Sequence, residues 1–272
     1  MRRRLDNELV RRGLAESRSA ARELVKANQV LVSGSLSSKS SRMVDPGDPV
    51  VLVGSPPRFV GRGGEKLAAA LEEFALDMRG LRVLGAGAST GGFTDCLLQA
   101  GAGEVLALDV GHGQLHESLR AHPGVVVMER TNLRHVSVQD VGGFDAAVAD
   151  LSFISLTLVL DALFGLVGEG GWLVLLVKPQ FECGRAEVSR GRGVVRDPSQ
   201  WSAAVTKVAD AVRLRGGVIM GAMVSPLRGG DGNVEFLLHV EAPATAARHA
   251  PQDVDSLIAD VVESAALREG LL

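Results

Sequence analysis

The stretch Leu84-Gly85-Ala86-Gly87-Ala88-Ser89-Thr90-Gly91-Gly92-Phe93-Thr94 stands between an apolar run at 81–84 and a helical pattern at 91–100, and its reading decides the fold. Small residues in a turn from strand to helix let the backbone approach a ligand closely. The spacing is not that of a dinucleotide-binding turn, because Thr90 occupies the place of the third glycine after Gly85 and Gly87. Such a loop alone also serves tight packing, and a lone Asp at a strand end is more often a turn residue. Here the two occur together, since Asp109 closes the next apolar run, 104–109. A carboxylate at the tip of a second strand can accept hydrogen bonds from both ribose hydroxyls of an adenosine-containing cofactor.

Outward from this loop, apolar runs alternate with helical segments, which predicts a mostly parallel sheet covered by helices. Strands are expected at 81–84, 104–109, 125–129, 145–150 and 172–178, with late runs at 217–224 and 234–240 completing a sheet of seven. Helical patterns fall at 91–100 and 154–167, and Leu257, Ile258, Val261, Val262 and Ala265 give one face to a C-terminal helix. Open sheets of this kind hold ligands at the carboxyl ends of their strands. Asn132, Asp150 and Lys178 each follow such a run, and Glu235 interrupts the apolar run from Asn233 to Leu238. A lysine directly after such a run, as Lys178 is, is unusual, a lysine extending from a strand end into water being its blander alternative, whereas Glu235 taken singly reads as a solvent-facing strand carboxylate.

The first 53 residues read differently. Leu5, Leu9 and Val10 mark one short helix, and Ala20, Ala21, Leu24 and Val25 mark a second behind the candidate caps Ser17 and Ser19. Val30 to Val32 and residues 49–53 read as strands, which makes a small α+β domain. Residues 1–45 carry ten Lys and Arg against five Asp and Glu, whereas the remainder carries 19 against 27. That asymmetry suggests a basic module attached to an acidic body, and a solvated surface with chance clustering fits the charge alone equally well, because phosphate contacts need a shaped patch. The expected organisation is domain 1–53, linker 54–61, domain 62–245 and a C-terminal helical extension over 246–272.

Composition excludes several classes. The most hydrophobic stretch, 146–167, is broken by Asp150 and Asp161, so no membrane-spanning helix is expected. No signal-peptide core follows the basic N-terminus, and a cytoplasmic protein is expected. The two cysteines, Cys96 and Cys183, have no metal-ligand spacing, so neither a metal site nor a disulfide framework is expected.

Six motifs in order, GASTGGFTD (87–95), DVGHGQL (109–115), ERTN (129–132), VADLSFISL (148–156), VKPQFE (177–182) and GNVEF (232–236), resemble the TlyA family, also labelled haemolysin A. The resemblance covers nearly the whole chain. It implies a Rossmann-like methyltransferase domain similar to the FtsJ-like ribose methyltransferases, preceded by an alpha-L type RNA-binding domain. The activity implied is 2'-O-methylation of ribose, a cytidine, in ribosomal RNA or ribosomal subunits, with S-adenosylmethionine as cofactor and no membrane or stable protein partner. Carried over by motif, the catalytic set falls on Lys66 in RGGEKL, Asp150, Lys178 and Glu235. The cofactor residues fall on Gly85, Gly87, Ala88, Ser89, Thr90, Gly91, Gly92, Phe93, Asp109, Asn132 and Asp150. Arg3, Arg4, Arg18, Arg22 and Arg62 are the expected RNA contacts. The sequence departs from the family at Gly85, where the loop usually begins with Asp.

A ribose hydroxyl is a poor nucleophile until its proton is drawn away, and it must lie in line with the sulfur–methyl bond. Lys178 is the expected agent, either as a base or as a charged group that orients the hydroxyl. Three other readings share some of these residues. A nicotinamide oxidoreductase would use the same loop and Asp109 but leaves the Lys and Glu set unexplained. A membrane-active haemolysin lacks an evident amphipathic basic helix. An RNA-binding protein with an impaired centre would account for Gly85.

Overall fold

In the computed structural model, which describes residues 2–15, 17–54, 57–184, 191, 193–244 and 253–271, the chain forms two units, Met1–Pro57 and Arg58–Leu272. In the first, β1 (Arg3–Arg4) leads into α1 (Leu5–Arg11), and α2 (Arg18–Lys26) follows. Ser17 caps α2, its hydroxyl oxygen accepting from the Ala20 N–H at 3.1 Å. β2 (Val30–Val32) lies between β3 (Ser35–Leu36) and β5 (Val50–Leu52), antiparallel to both, while β4 (Met43–Val44) pairs with β1. Leu5, Leu9, Ala21, Val25, Val30, Val32 and Val44 close the core of this unit.

Two acids are buried in that unit, Asp6 and Glu8. Asp6 is ringed by Arg4, Arg18 and Arg22, and Glu8 by Arg3, Arg11 and Arg12. Hydrogen bonds from Arg11 and then Arg12 hold the Glu8 carboxyl down at about 2, against an ordinary 4.5. Hydrogen bonding by Arg4, with Arg22 and the Asn7 N–H, outweighs burial and holds the Asp6 carboxyl well below the usual range. A depressed carboxyl stabilises the fold fully above its unfolded value and loses that contribution as pH falls through the folded one. The first unit is therefore expected to lose stability as pH drops from about 4.5 towards 2. Amide exchange in residues 2–54 of the intact chain, followed between pH 6 and pH 2.5, checks this; protection that stays constant across that range contradicts it.

The second unit is built on the strand–loop–helix that opens it. α3 (Gly63–Glu73) precedes β6 (Arg82–Ala86), and α4 (Gly92–Gln99) leads to β7 (Glu104–Leu108). Next come α5 (Glu117–Arg120), β8 (Val125–Met128), α6 (Val138–Val141), β9 (Phe144–Ala149), α7 (Leu160–Leu166), β10 (Val167–Val177) and α8 (Pro179–Glu182). α9 (Pro198–Arg213), β11 (Val218–Val224), β12 (Phe236–Glu241) and α10 (Val254–Arg268) complete it. The sheet order is β11-β12-β10-β9-β6-β7-β8. β6 to β10 are parallel, and β12 runs antiparallel between β10 and β11.

Both faces of the central strands are buried, which is why they read as continuous apolar runs. Along β10, Leu173, Leu175 and Val177 join one core cluster with Trp201 of α9 and Ile258 of α10, while Val174 and Leu176 join the opposite cluster with Leu67 of α3 and Leu97 of α4. β9 alternates in step, Ala147 and Ala149 against Ala146 and Val148. Cys96 lies in the second cluster, and burial pushes its thiol up to about 12, so it is an inert core residue.

Two expected boundaries differ. Residues 58–61, read as linker, pack onto the second unit: Phe59 is buried with α3 and α4, the Val60 N–H donates to Asp95, and Gln99 donates to the Arg58 carbonyl. Ser55 and Pro56 of that linker lie outside the described residues. The C-terminal helix, read as an extension, contributes Ile258, Val261, Val262 and Ala265 to the main core; residues 246–252 lie outside the described residues. Apolar contact decides both, because Phe59 and the inner face of α10 stabilise the fold only when removed from water.

Candidate active site

β6 ends at Ala86, and the chain turns sharply through Gly87, at φ 83°. A methyl group on Gly87 would collide with the Asp150 carbonyl oxygen, so glycine is required both for the turn and for the close approach of the two strand ends. Beyond the turn a cleft of about 200 Å³ opens, lined by Arg62, Gly63, Lys66, Gly87, Ala88, Ser89, Thr90, Gly92, Phe93 and Asp150. The first turn of α4 has no side-chain cap, and its residues Gly92 and Phe93 line the cleft. The leading peptide N–H groups of a helix have no partners within it and suit a carboxylate.

Four charged side chains meet at this edge. Asp150 follows β9 and Lys178 follows β10, and since these neighbours are parallel their ends coincide. Glu235 immediately precedes β12, whose antiparallel course brings its beginning to the same edge, with Val177 opposite Phe236. Lys66 comes from α3, on the sheet face above. Lys178 Nζ lies 2.6 Å from Asp150 Oδ1 and donates to Ser152 Oγ at 3.0 Å. Lys66 forms a short hydrogen-bonded ion pair with Glu235, which is 2% exposed. Burial drives the Glu235 carboxyl above its usual range, opposed first by Lys66 and then by Lys178. Gly229 is shaped to this pair, since a methyl group there would lie 2.5 Å from Glu235 Oε1.

Asp150 Oδ1 is buried and, despite its ion pair, has no hydrogen-bond donor aligned with it. It therefore has capacity for a donor in the cleft, and an unsatisfied buried carboxylate oxygen is costly unless a ligand fills that role. The glycine cradle, the uncapped helix start and this orphaned oxygen fit a nucleoside-bearing, cationic cofactor with a free carboxylate.

The other expected cofactor residues are placed around the cleft rather than on its wall. Asp109 Oδ2 accepts from the Ser89 N–H and Oδ1 from the Gly111 N–H, each at 2.7 Å, which ties the glycine loop to the end of β7. Each oxygen keeps a lone pair for a ribose hydroxyl. Asn132 caps a short 3-10 turn, its Oδ1 accepting from Arg134 N–H. Gly91 is buried at the start of α4. Gly85 lies within β6 beneath the loop; a Cβ there would make ordinary contacts, the nearest polar side-chain atom being the buried and unpartnered Thr94 hydroxyl.

Sequence reading missed two contributors. Ser152 follows Asp150 by two residues and reaches Lys178. Phe153, held at φ 65° and 92% exposed, packs on Phe181 with ring centroids 5.2 Å apart, and Lys178 Nζ is 5.9 Å from the Phe181 ring. An exposed phenyl ring in a left-handed backbone conformation is a signal that only coordinates carry.

The FtsJ-like methyltransferase family matches residues 59–242, and the S4 domain family matches residues 3–50. The 16S/23S rRNA (cytidine-2'-O)-methyltransferase TlyA of Mycobacterium tuberculosis is 48% identical over 237 residues, covering 86% of this chain and 88% of that protein. Hemolysin A of Brachyspira hyodysenteriae is 37% identical, covering 87% of this chain and 98% of that one. A solved structure from Streptococcus thermophilus, 38% identical, superimposes with a TM-score of 0.74 over 99% of this chain and 98% of its own.

Proposed function

Because the chain belongs to the TlyA family of FtsJ-like methyltransferases, we propose that it methylates the 2'-hydroxyl of a cytidine ribose in ribosomal RNA, working in the cytoplasm. The observation that carries this is the convergence of Lys178–Asp150 and Lys66–Glu235 beside the glycine-cradled cleft. S-adenosylmethionine supplies an electrophilic methyl group on a sulfonium whose positive charge disappears on transfer. Gly87 to Phe93 would hold its methionine end, and Asp109 with Asn132 its adenosine.

The chain's own task is alignment and proton handling. As an ammonium, Lys178 donates to Ser152, stands in ion-pair contact with Asp150 and keeps N–H donors for the ribose oxygen. That charge lowers the cost of the developing alkoxide. The ribose oxygen–methyl bond would form as the sulfur–methyl bond breaks, and the hydroxyl proton would pass to the Asp150 carboxylate, whose Oδ1 has no donor aligned with it, and then to water. Lys66 and Glu235 neutralise each other beneath the pair and fix its position. The exposed Phe153–Phe181 pair offers an unstacked base a surface to stack on, the usual mode for single-stranded RNA. Among the described residues no helix is long and apolar enough to cross a membrane, and nothing in this site favours the activity for which the Brachyspira relative is named.

Incubation of ribosomal subunits with the purified protein and methyl-labelled S-adenosylmethionine tests the proposal. A ribose 2'-O-methyl group blocks alkaline cleavage, so label is expected in an alkali-resistant dinucleotide beginning with cytidine. Label released in mononucleotides, or no label at all, overturns it.

A further inference from the structure

The basic surface of the first unit is not a set of independent arginines. Asp6 is fully buried, yet the side chains touching it are Arg4, at 2.9 Å, Arg18, at 3.5 Å, and Arg22, at 3.4 Å. Those three side chains are 40%, 53% and 53% exposed. The covering layer over the carboxylate is therefore made of guanidinium groups whose outer edges face water. Each guanidinium has five N–H donors, and a shared carboxylate occupies few of them. Glu8 holds Arg3 and Arg11, 52% and 47% exposed, in a similar way, whereas its third partner, Arg12, is 19% exposed and donates to the backbone carbonyls of Pro46 and Asp48.

We infer that Asp6 is a positioning residue of the RNA-binding surface, a buried carboxylate that gathers Arg4, Arg18 and Arg22 into a fixed guanidinium array for RNA backbone phosphates. The inference rests on the proposed RNA substrate and deepens it. Free arginine side chains each give up rotamer freedom on binding, and an array assembled in advance avoids most of that cost. Guanidinium forks match phosphate oxygens two at a time, which an ordered array exploits and a disordered one does not. The sign of the effect runs against simple charge counting. Removing one negative charge from a nucleic-acid-binding domain should tighten binding; removing this one releases three arginines.

The test uses the full chain, a ribosomal RNA fragment and binding measured from about 50 to 300 mM salt. Asp6→Asn is expected to weaken RNA binding about tenfold and to reduce the salt slope by roughly one, the signature of a lost phosphate contact. Asp45→Asn, which removes the same charge from a half-exposed site paired with Arg2, is expected to leave affinity unchanged or tighter. Asp6→Asn in an Arg4→Gln/Arg18→Gln/Arg22→Gln background should add little, because the arginines it acts through are gone. If Asp6→Asn does not fold, Asp6→Glu carries the test: net charge is unchanged, the array is displaced by a methylene, and weaker binding with a lower slope is expected. A folded Asp6 variant with wild-type affinity and slope overturns the inference, as does equal weakening by Asp45→Asn. Failure of the wild-type chain itself to bind RNA in a salt-dependent way would count against the proposed function instead.

Discussion

Lys178→Ala is expected to cut methyl transfer by about a thousandfold while changing S-adenosylmethionine affinity by no more than a few-fold. A positioned proton-handling group is worth roughly 10²–10⁴ in rate, and a charge aimed at a developing oxyanion contributes on a similar scale. The cleft proposed for the cofactor is lined by the glycine loop, α3, α4 and Asp150, and Lys178 touches Asp150 without lining it, so binding should survive the truncation. Single-turnover rates with saturating RNA, together with calorimetric titration of the cofactor, measure the two effects separately. Near-normal turnover would remove Lys178 from the chemistry. Lys178→Arg separates its two roles: an arginine keeps the charge and can orient the oxygen but cannot take a proton. A variant that retains a few per cent of the rate indicates an orienting role, and one as slow as Lys178→Ala indicates a base.

Lys66→Met is expected to be the most destabilising change at the site. It leaves the Glu235 carboxylate, 2% exposed, without its hydrogen-bonded partner. Breaking one side of a buried ion pair costs about 3–5 kcal/mol, which for a unit of this size lowers Tm by roughly 10 °C. Burial already pushes the Glu235 carboxyl up, and without Lys66 it rises further. A raised carboxyl means that the folded state binds protons more readily than the unfolded one, so stability falls as pH rises from the unfolded value towards the folded one. The penalty in Lys66→Met should therefore grow as pH rises above the ordinary carboxyl value of 4.5, away from the acid range in which the first unit weakens. Lys66→Met combined with Glu235→Leu removes both charges and should recover most of the lost Tm without recovering activity. A double variant as unstable as the single one would show that the pair matters through packing rather than charge.

The site was partly legible because parallel strands end where their ligands bind. Asp150 and Lys178 each follow an apolar run, and each lies at the carboxyl edge. The helix α9 was not read, although Asp197 at its N-cap, Pro198 at its first position and the spacing of Trp201, Val205, Val208 and Val212 signal it. The strands β1, β3 and β4 have two residues each, too few for any period to show. Sequence reading did not single out Glu8, which is buried and paired with Arg11 three residues later.

By itself the sequence determined the fold class, the glycine loop and the residues that follow the parallel strands, since these depend on local periodicity and on small residues where the backbone must turn. Periodicity read Glu235 as a solvent-facing strand carboxylate and only the family resemblance brought it into the set; the tertiary structure is what buries it beside Lys66. Hydrophobic alternation records which faces of a strand are buried but not its direction, and Glu235 reaches the catalytic edge because β12 runs antiparallel to β10. Lys66 meets it across 169 residues of chain, once α3 covers the sheet. Whether Asp6 is a solvated acid or the anchor of an arginine array was likewise settled by packing, because burial is a property of all the segments that surround a residue.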